Sequence, residues 1–286
     1  MTGLSAGSLL RVDTGGVAVA AFTARVGGAA TGPYAGFNLG RQGDDPAAVF
    51  ANRRALADAV GADPARAMML TQVHGAEVRD VTGADVPRPR GLATFDGWPV
   101  ADGLATSLPG VALIVLAADC LPVLAWRRDG KAVAAAHAGW RGLVAGVLGA
   151  AVARLGDPAD VGVALGPRIG PCCYPVSDDV RAAFAGRFGA DVVRGDAVDL
   201  AASARVALVA AGVPSEAIAE YGGCTACTPG RFFSHRASGG VTGRQAGLVM
   251  AVTGREATVP AAGAGAVCDH FRGRRPRRRD PDGSLP

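Results

Sequence analysis

Short apolar runs alternate with longer amphipathic stretches along most of this 286-residue chain. The runs are four to eight residues long and are bounded by glycine, proline or polar residues, which is typical of strands. The predicted strands cover residues 17–24, 68–73, 77–81, 111–118, 133–136, 161–165 and 247–252. Helices are predicted at residues 47–60, 143–155, 177–188 and 200–211. Strands that alternate with helices indicate an α/β domain whose functional site lies at strand ends.

The same pattern predicts one domain over residues 1–252, because no linker divides it. Residues 253–286 lose the pattern, and we expect them to form a peripheral, disordered, arginine-rich tail. The formal net charge is +4, and residues 272–286, with six Arg and two Asp, supply all of it. The remaining chain is neutral and lacks the basic excess of a nucleic-acid-binding domain, which excludes nucleic acid as a partner.

Composition and hydropathy also restrict the class of protein. Hydrophobic residues make up 49% of the chain, which excludes a mainly disordered protein. The longest apolar stretch, residues 111–126, contains Asp119 and is too short to span a bilayer. No basic segment precedes the first apolar residues, so no secretory signal is predicted. We therefore expect a cytoplasmic protein without a membrane partner.

Three candidate metal ligands stand at predicted strand ends. His74 lies between two apolar runs, Cys120 follows the strand at 111–118, and His137 ends the strand at 133–136. Two imidazoles and one thiolate can form a zinc site with an open fourth position, which is the catalytic form. The same residue types suit a nucleophilic Cys120 with His137 or His74 as its base, or unrelated core residues. The spacing leaves these alternatives open.

Copper is a second candidate metal, because two histidines and one cysteine also compose a blue-copper centre. A multicopper oxidase additionally needs a trinuclear cluster held by many more imidazoles. The chain has four His in all, so the count excludes a multicopper oxidase.

The other cysteines are predicted to be buried structural thiols. Their uneven spacing argues against a disulfide framework. Cys224 and Cys227 form a CxxC pair, but a zinc ribbon needs a second such pair, which the sequence does not contain. The adjacent Cys172 and Cys173 would form a strained ring if they were joined.

Four polar residues are candidates for catalysis or substrate binding. Arg141 stands four residues after His137, where its guanidinium and the start of a helix could bind an anion. Asp119 precedes Cys120 and is the candidate acid. Asn38 in FNLG and Arg236 in FFSHR are candidate substrate contacts, although turn capping is the simpler interpretation. Residues 166–170, GPRIG, match neither glycine-rich nucleotide motif, which excludes nucleoside triphosphates and dinucleotides.

Eight motifs occur in order along the predicted domain: GFNLG (36–40), GDDPAAVFANRRAL (43–56), TQVHG (71–75), VADGLAT (100–106), AADCLPVL (117–124), AAHAGWRG (135–142), ALGPRIGPCCY (164–174) and TGRQAGLV (242–249). By these motifs the chain resembles the laccase-domain family, also called the YfiH-type or "polyphenol oxidase" family. The resemblance implies a single-domain α/β layered sandwich with a mixed sheet, similar to the catalytic domain of the cytotoxic necrotizing factor toxins.

The resemblance also implies a function. Members of the family are purine nucleoside phosphorylases, so adenosine, inosine and S-methyl-5'-thioadenosine would be split with phosphate into free base and a (methylthio)ribose 1-phosphate. They also deaminate adenosine. By motif, the family's metal ligands fall on His74, Cys120 and His137, with zinc as the implied metal, and the chain would be a monomer. Two alternatives stay open: a Cys-dependent amide hydrolase of peptidoglycan-precursor editing, and a non-catalytic, metal-containing protein that binds a partner.

Two positions depart from the family's pattern. Pro175 stands where the family usually has Glu, and His235 stands where it usually has Tyr. We expect both to lie near the substrate and to affect the preference for base or sugar.

Overall fold

The computed structural model describes residues 4–5, 7–88 and 91–252. Within these ranges the strands are β1 Leu9–Arg11, β2 Ala18–Thr23, β3 Ala67–Met68, β4 Val78–Asp80, β5 Gly103–Thr106, β6 Ala112–Ala117, β7 Leu121–Arg127, β8 Val133–Ala138, β9 Val161–Leu165, β10 Val193–Arg194, β11 Ala197–Val198, β12 Ile218–Glu220 and β13 Gln245–Ala251. The α-helices are α1 Pro46–Val60, α2 Trp140–Ala145, α3 Val147–Ala153, α4 Asp178–Phe188 and α5 Leu200–Ala210. The tail predicted at 253–286 lies outside the described residues.

Two mixed sheets stack to form the centre of the molecule. The first has five strands in the order β1-β2-β13-β6-β3, and the second has six in the order β12-β9-β7-β8-β5-β4. Both combine antiparallel pairs with one or more parallel pairs. A short hairpin pairs β10 with β11. The predicted single α/β domain with a mixed sheet is therefore confirmed for the described residues.

The central strands of the second sheet are buried on both faces. Successive side chains of a strand point to opposite sides, and in β8 Val133 and Ala135 face the first sheet while Ala134 and Ala136 face the helices. Strands β7 and β9 divide their side chains in the same way. This double burial explains why these strands are continuous apolar runs rather than alternating ones.

The helices cover the outer face of the second sheet. Apolar residues of α2, α3, α4 and α5 join one cluster with side chains of β7, β8 and β9. Helix α1 instead contributes Leu56, Ala57 and Val60 to the cluster that contains the strands of the first sheet. The Asp45 side chain caps α1 by accepting a hydrogen bond from the Ala47 N–H, and Pro46 occupies the first turn. None of the helices in the described part of the chain has the length and hydropathy needed to cross a membrane.

One edge of the second sheet collects the chain segments that carry the candidate ligands. Strand β7 begins beside the ends of β8 and β9, because both pairings are antiparallel. Strand β5 also begins at this edge, since Gly103 pairs with Ala136. Strand β12 runs parallel to β9 and ends there as well. The predicted position of the site at strand ends follows from this topology.

Two predicted elements were wrong in their extent, and one strand was not predicted. The strand predicted at 68–73 is limited to Ala67–Met68, and the chain then turns towards the site. The helix predicted at 143–155 begins earlier, at Trp140, and is broken in two at Gly146, which has a left-handed conformation with φ +93°. Strand β7 was missed because Pro122 lies inside it, and proline lacks the N–H that a strand interior normally donates.

Phe22 of β2 connects the two sheets. It is fully buried, and its ring lies 6.1 Å from the ring of Tyr221. A Cβ atom on Gly166, in the loop after β9, would approach this ring to 2.5 Å, so glycine leaves the space that Phe22 fills.

We expect Phe22→Ala to lower the free energy of unfolding by about 3–5 kcal/mol, because it removes a large side chain from between the sheets. Denaturant unfolding measures the loss. Val206→Ala on the exposed side of α5 is the control and should change stability by less than about 0.5 kcal/mol. A loss for Phe22→Ala as small as that of the control would contradict this assignment.

Candidate active site

The three predicted ligands meet at the sheet edge. Cys120 occupies the tight turn between β6 and β7, His137 lies near the end of β8, and His74 lies in the segment between β3 and β4. One ligand atom from each residue lies within 4.8 Å of the others. The two imidazole rings are 4.9 Å apart between centroids and meet edge to face. Residues separated by 46 and 17 positions in sequence therefore form one centre.

A buried carboxylate that the sequence analysis did not select orients two of these ligands. Asp102, just before β5, is fully buried. One of its oxygens lies 2.8 Å from Nδ1 of His137. If Nδ1 donates its proton to Asp102, Nε2 is left as the free ligand atom, which is the usual arrangement of metal-binding histidines. Asp102 stands in the VADGLAT motif, but no periodicity marks it as a site residue.

The same carboxylate fixes the loop of His74. It accepts hydrogen bonds from three successive backbone N–H groups, those of Val73, His74 and Gly75, at 3.1, 2.9 and 2.6 Å. His74 itself has a left-handed backbone with φ +61°. This conformation is uncommon for residues other than glycine, and here it turns the consecutive N–H groups towards one anion.

Close packing around the centre requires a glycine. A Cβ atom on Gly139 would lie 2.8 Å from Cδ2 of His74 and 3.1 Å from Sγ of Cys120. Gly139 is the residue that precedes α2 in the HAGW motif. The glycine of this motif therefore gives the imidazole and the sulfur room to approach each other.

The electrostatics of the three ligands favour a thiolate. Burial raises the pKa of the Cys120 thiol, but the charge of His137 and hydrogen bonds with both imidazoles outweigh it and lower the pKa to about 6. For His137, burial lowers the pKa, but the Cys120 thiolate and the Asp102 carboxylate outweigh it and raise the pKa to about 9. A thiolate is both the nucleophilic and the metal-binding form of cysteine.

Asp119 has a different environment from that expected of a general acid. One carboxylate oxygen accepts a 2.6 Å hydrogen bond from the hydroxyl of Thr225, and the other accepts a 2.7 Å bond from the backbone N–H of Arg236. Its backbone is left-handed, with φ +86°. A carboxylate with both oxygens used as acceptors serves to position the adjoining loops. The assignment of Asp119 as the acid stays a prediction, which these two hydrogen bonds do not favour.

A cavity of about 640 Å³ opens over the centre. Such a volume is in the range of small-molecule sites. Its lining includes His74, Asp119, Cys120 and His137, together with Arg141 and Arg236. Arg41, Arg53 and Arg244, which the sequence did not single out, also line it. The lining thus contains five arginines and a single carboxylate, that of Asp119. The aromatic residues of the lining are Phe95, Trp98, Trp140 and Tyr174.

The arginines of the lining differ in which contacts their guanidinium groups make with the rest of the protein. The Arg53 guanidinium donates to the carbonyls of Leu39, Leu92 and Thr94, so it supports the wall. Arg141 lies over the Trp140 ring, and Arg236 lies over the Tyr174 ring. Among the described residues, no carboxylate forms a salt bridge with Arg141, Arg236 or Arg244. The arginines of the lining therefore outnumber its negative groups, which are the Asp119 carboxylate and the Cys120 thiolate.

Asn38 does not line the cavity. It is fully buried, and its side-chain amide donates to the carbonyl of Gly40 and to the carboxylate of Asp44. Its side-chain oxygen accepts from the backbone N–H groups of Gly40 and Arg244. The simpler interpretation as a turn-stabilising residue fits this position, and we withdraw Asn38 as a substrate contact.

Of the two residues that depart from the family pattern, His235 and Pro175, only the first lines the cavity. His235 lines the cavity, as expected. Pro175 is not in the lining, and its carbonyl accepts a hydrogen bond from the Arg236 guanidinium. Pro175 therefore adjoins two residues of the lining, Tyr174 and Arg236, without lining the cavity itself.

The prediction of buried thiols was wrong for the other cysteines in the described part of the chain. Cys172 and Cys227 are exposed, and Cys173 and Cys224 are half-buried. These four side chains form a second cluster, distinct from His74, Cys120 and His137. Cys268 lies outside the described residues.

The protein is an α/β protein with a His-Cys-His centre in an arginine-lined cavity. Residues 19–252 match the family described as multi-copper polyphenol oxidoreductase laccase, and the chain belongs to that family. The residues do not support the copper chemistry of the family's description, because four His cannot complete a multicopper cluster.

Curated relatives carry a different description. The chain is 37% identical to purine nucleoside phosphorylase YlmD of Geobacillus stearothermophilus, over 81% of this chain and 89% of that protein. It is 41% identical to purine nucleoside phosphorylase PA4543 of Pseudomonas aeruginosa, over 80% and 92%. It is 40% identical to purine nucleoside phosphorylase YfiH of Escherichia coli, over 83% and 95%. The family resemblance found in the motifs is thus confirmed, and the relatives support an enzyme.

Solved structures share the fold. A hypothetical protein YfiH of Bacillus licheniformis superposes with a TM-score of 0.81 at 30% identity, over 88% of this chain and 99% of that one. YlmD of Geobacillus stearothermophilus gives 0.79 at 35% identity, over 88% and 99%. The similarity to the catalytic domain of cytotoxic necrotizing factor stays a prediction.

We expect Asp102→Asn to weaken metal binding by about 10- to 100-fold, because the amide loses the charge that orients His137 and gathers the His74 loop. Competition with a chromogenic chelator measures the affinity. Asp129→Asn, which changes an exposed ion pair away from the cavity, is the control. Unchanged affinity in Asp102→Asn would show that the carboxylate does not support the ligands.

A second prediction concerns the pH dependence of Cys120 in the metal-free protein. Only the thiolate is alkylated, and it forms above the thiol's pKa, so half-maximal alkylation should occur near pH 6 rather than near the ordinary value of 9.0. Removal of the imidazolium in His137→Ala should shift the profile upward. Peptide mass spectrometry after brief iodoacetamide treatment measures it, and His235→Ala is the control. A midpoint that does not move in His137→Ala would contradict this pairing.

Proposed function

We propose that this protein is a zinc-dependent purine nucleoside phosphorylase that cleaves adenosine, inosine and S-methyl-5'-thioadenosine. The observation that carries the proposal is the cavity itself, in which an excess of arginines and several aromatic side chains surround a three-ligand centre. A phosphate ion supplies the missing negative charge, and a purine fits against aromatic surfaces. The names of the curated relatives agree with this substrate class.

His74, Cys120 and His137 would hold the metal. The donor set fits zinc, since it offers two imidazoles and one thiolate within 4.8 Å and leaves one tetrahedral position open. Zinc held by these three residues would supply Lewis-acid chemistry at this centre. Metal analysis distinguishes zinc from copper.

The arginines would bind and orient phosphate. Arg141 and Arg236 are exposed at the cavity and carry no salt bridge among the described residues. Charge-assisted hydrogen bonds from guanidinium groups to phosphate are short and directional. The phosphate oxygen forms a bond to the anomeric carbon of the ribose as the bond from that carbon to the purine nitrogen breaks. The products are ribose 1-phosphate and the free base, whose nitrogen takes up a proton.

Tyr174 is a suitable hydrogen-bond donor to the departing base. Burial and the negative charge of Cys120 raise its pKa to about 12, so the phenol stays protonated at neutral pH. Asp119 is then a positioning residue, which holds the Thr225 and Arg236 loops at the cavity wall. Deamination of adenosine would take place at the same centre, where water would replace the amino group of the purine and ammonia would leave.

A second candidate function is amide hydrolysis with Cys120 as nucleophile. The specific observation in its favour is the hydrogen bond from His137 to Asp102, because a base oriented by a carboxylate next to a thiolate is the arrangement of cysteine hydrolases. His74 argues for the metal instead, since a nucleophile needs one imidazole as its base, and this centre provides two.

The test measures free-base release from adenosine, inosine and S-methyl-5'-thioadenosine, with and without phosphate, alongside metal content. We expect zinc in the His74–Cys120–His137 centre, phosphate-dependent base release, and about a 100-fold or greater loss in His137→Ala and Cys120→Ala. Ammonia release from adenosine tests the deaminase activity. Asp129→Asn is the matched control and should retain full activity.

Three results would contradict the proposal in different ways. Base release that persists in metal-free protein would show that the reaction does not require the metal. Activity on an amide that survives chelation and disappears in Cys120→Ala would favour the hydrolase. Bound metal without turnover of any nucleoside would favour a non-catalytic protein that binds a partner.

A further inference from the structure

The second cluster of sulfur atoms joins two loops at the edge of the second sheet. Cys172 and Cys173 belong to the loop after β9, and Cys224 and Cys227 belong to the loop after β12. Strands β9 and β12 are parallel neighbours, so the two loops leave the sheet side by side. All four sulfur atoms lie within 4.8 Å of one another.

The distances fit a common metal ion and exclude disulfides. Sγ of Cys227 lies 3.4 Å from Sγ of Cys172 and 3.5 Å from Sγ of Cys173. A disulfide requires about 2.05 Å between sulfurs. Four sulfurs at about 2.3 Å from a tetrahedral zinc ion lie roughly 3.8 Å apart, which is close to the spacing found here.

The backbone holds the sulfurs in this arrangement. The N–H of Gly170 donates to Sγ of Cys224 at 3.2 Å, and the N–H of Cys173 donates to the carbonyl of Gly170. A Cβ atom on Gly170 would lie 3.3 Å from Sγ of Cys172 and from Cβ of Cys224, so a larger residue would push the loops apart. N–H groups directed at a sulfur are a common feature around metal-bound thiolates.

Burial does not explain the cluster. Cys172 and Cys227 are exposed, so these thiols do not serve as core packing. A zinc site needs two more cysteines than the CxxC pair of Cys224 and Cys227 provides. In the folded protein the adjacent Cys172 and Cys173 provide them. Each side of the cluster therefore provides two soft ligands, and four thiolates without an open position make a structural rather than a catalytic zinc site.

We propose that Cys172, Cys173, Cys224 and Cys227 bind a structural zinc ion, which is separate from the metal of the candidate active site and independent of the proposed function. This ion cross-links the loops after β9 and β12. The first loop continues directly into Tyr174, which lines the cavity. The second contains Thr225, whose hydroxyl donates to Asp119 beside Cys120.

The test counts metal in the purified full-length protein and in variants of each centre. We expect two zinc ions per chain in the wild type, one in Cys227→Ser and one in His74→Ala. Ala226→Ser is the matched control, because it places the same hydroxyl in the same loop and keeps all four thiols, and it should retain two. A fall in Cys227→Ser with no fall in His74→Ala would support this site and count against the active-site metal.

Cobalt substitution of the wild type gives a second measurement that does not depend on how the variants fold. Of the five candidate thiolate ligands, four belong to this cluster, so it should supply roughly four fifths of the sulfur-to-cobalt charge-transfer absorption. The expected spectrum is that of tetrahedral cobalt bound to four sulfurs, superposed on a weaker contribution from Cys120. One zinc per chain in the wild type, with a spectrum of a single thiolate ligand, would overturn the proposal. A disulfide in the freshly purified protein, seen as a loss of two titratable thiols, would overturn it as well.

Discussion

The carboxylate of Asp102 is buried among backbone N–H groups and one imidazole, and the positions of two candidate ligands depend on it. A buried carboxylate is tolerated only when hydrogen bonds replace the water that it has lost. Three consecutive N–H groups and Nδ1 of His137 provide that replacement. The left-handed backbone at His74 brings those N–H groups together, so its conformational cost is offset by solvation of the carboxylate. Asp102 therefore both orients His137 and fixes the loop of His74.

Sheet topology explains why ligands distant in sequence converge. The antiparallel pairing of β7 with β8 places the turn that carries Cys120 beside His137, since Leu121 pairs with Ala138. Strand β5 starts at the same edge, and because Gly103 pairs with Ala136, Asp102 lies next to His137. Because these strands are buried on both faces, a one-residue shift in register would exchange the side chains of the two cores and disrupt the packing on both sides. Packing of the two cores thus holds the ligand geometry.

The sequence predicted those features that depend on local pattern. Apolar runs located β6, β8, β9 and β13, although not β7, and the ends of the predicted strands located His74, Cys120 and His137. Asp102 could not be found in this way, because its partners lie 27–35 residues away and become neighbours only in the folded sheet. The role of Asn38 was misjudged for the opposite reason: a polar residue among glycines and aromatics looks the same in sequence whether it caps a turn or contacts a ligand. The four-cysteine cluster depends on β9 and β12 being parallel neighbours, which spacing does not reveal.

Asp119 connects the positively charged cavity with the four-cysteine cluster through hydrogen bonds. Its carboxylate accepts hydrogen bonds from Thr225 and from the backbone of Arg236, so one residue connects the loop after β12 and the loop of an exposed arginine to the turn of Cys120. The loops after β9 and β12 also carry exposed residues, among them Cys172 and Cys227, and fixing the backbone of a loop residue costs about 1–2 kcal/mol in entropy. A metal cross-link between the loops after β9 and β12 would meet part of that cost before substrate binds. The arginines would then face phosphate on a wall that is already ordered, which favours binding because less freedom is lost on association.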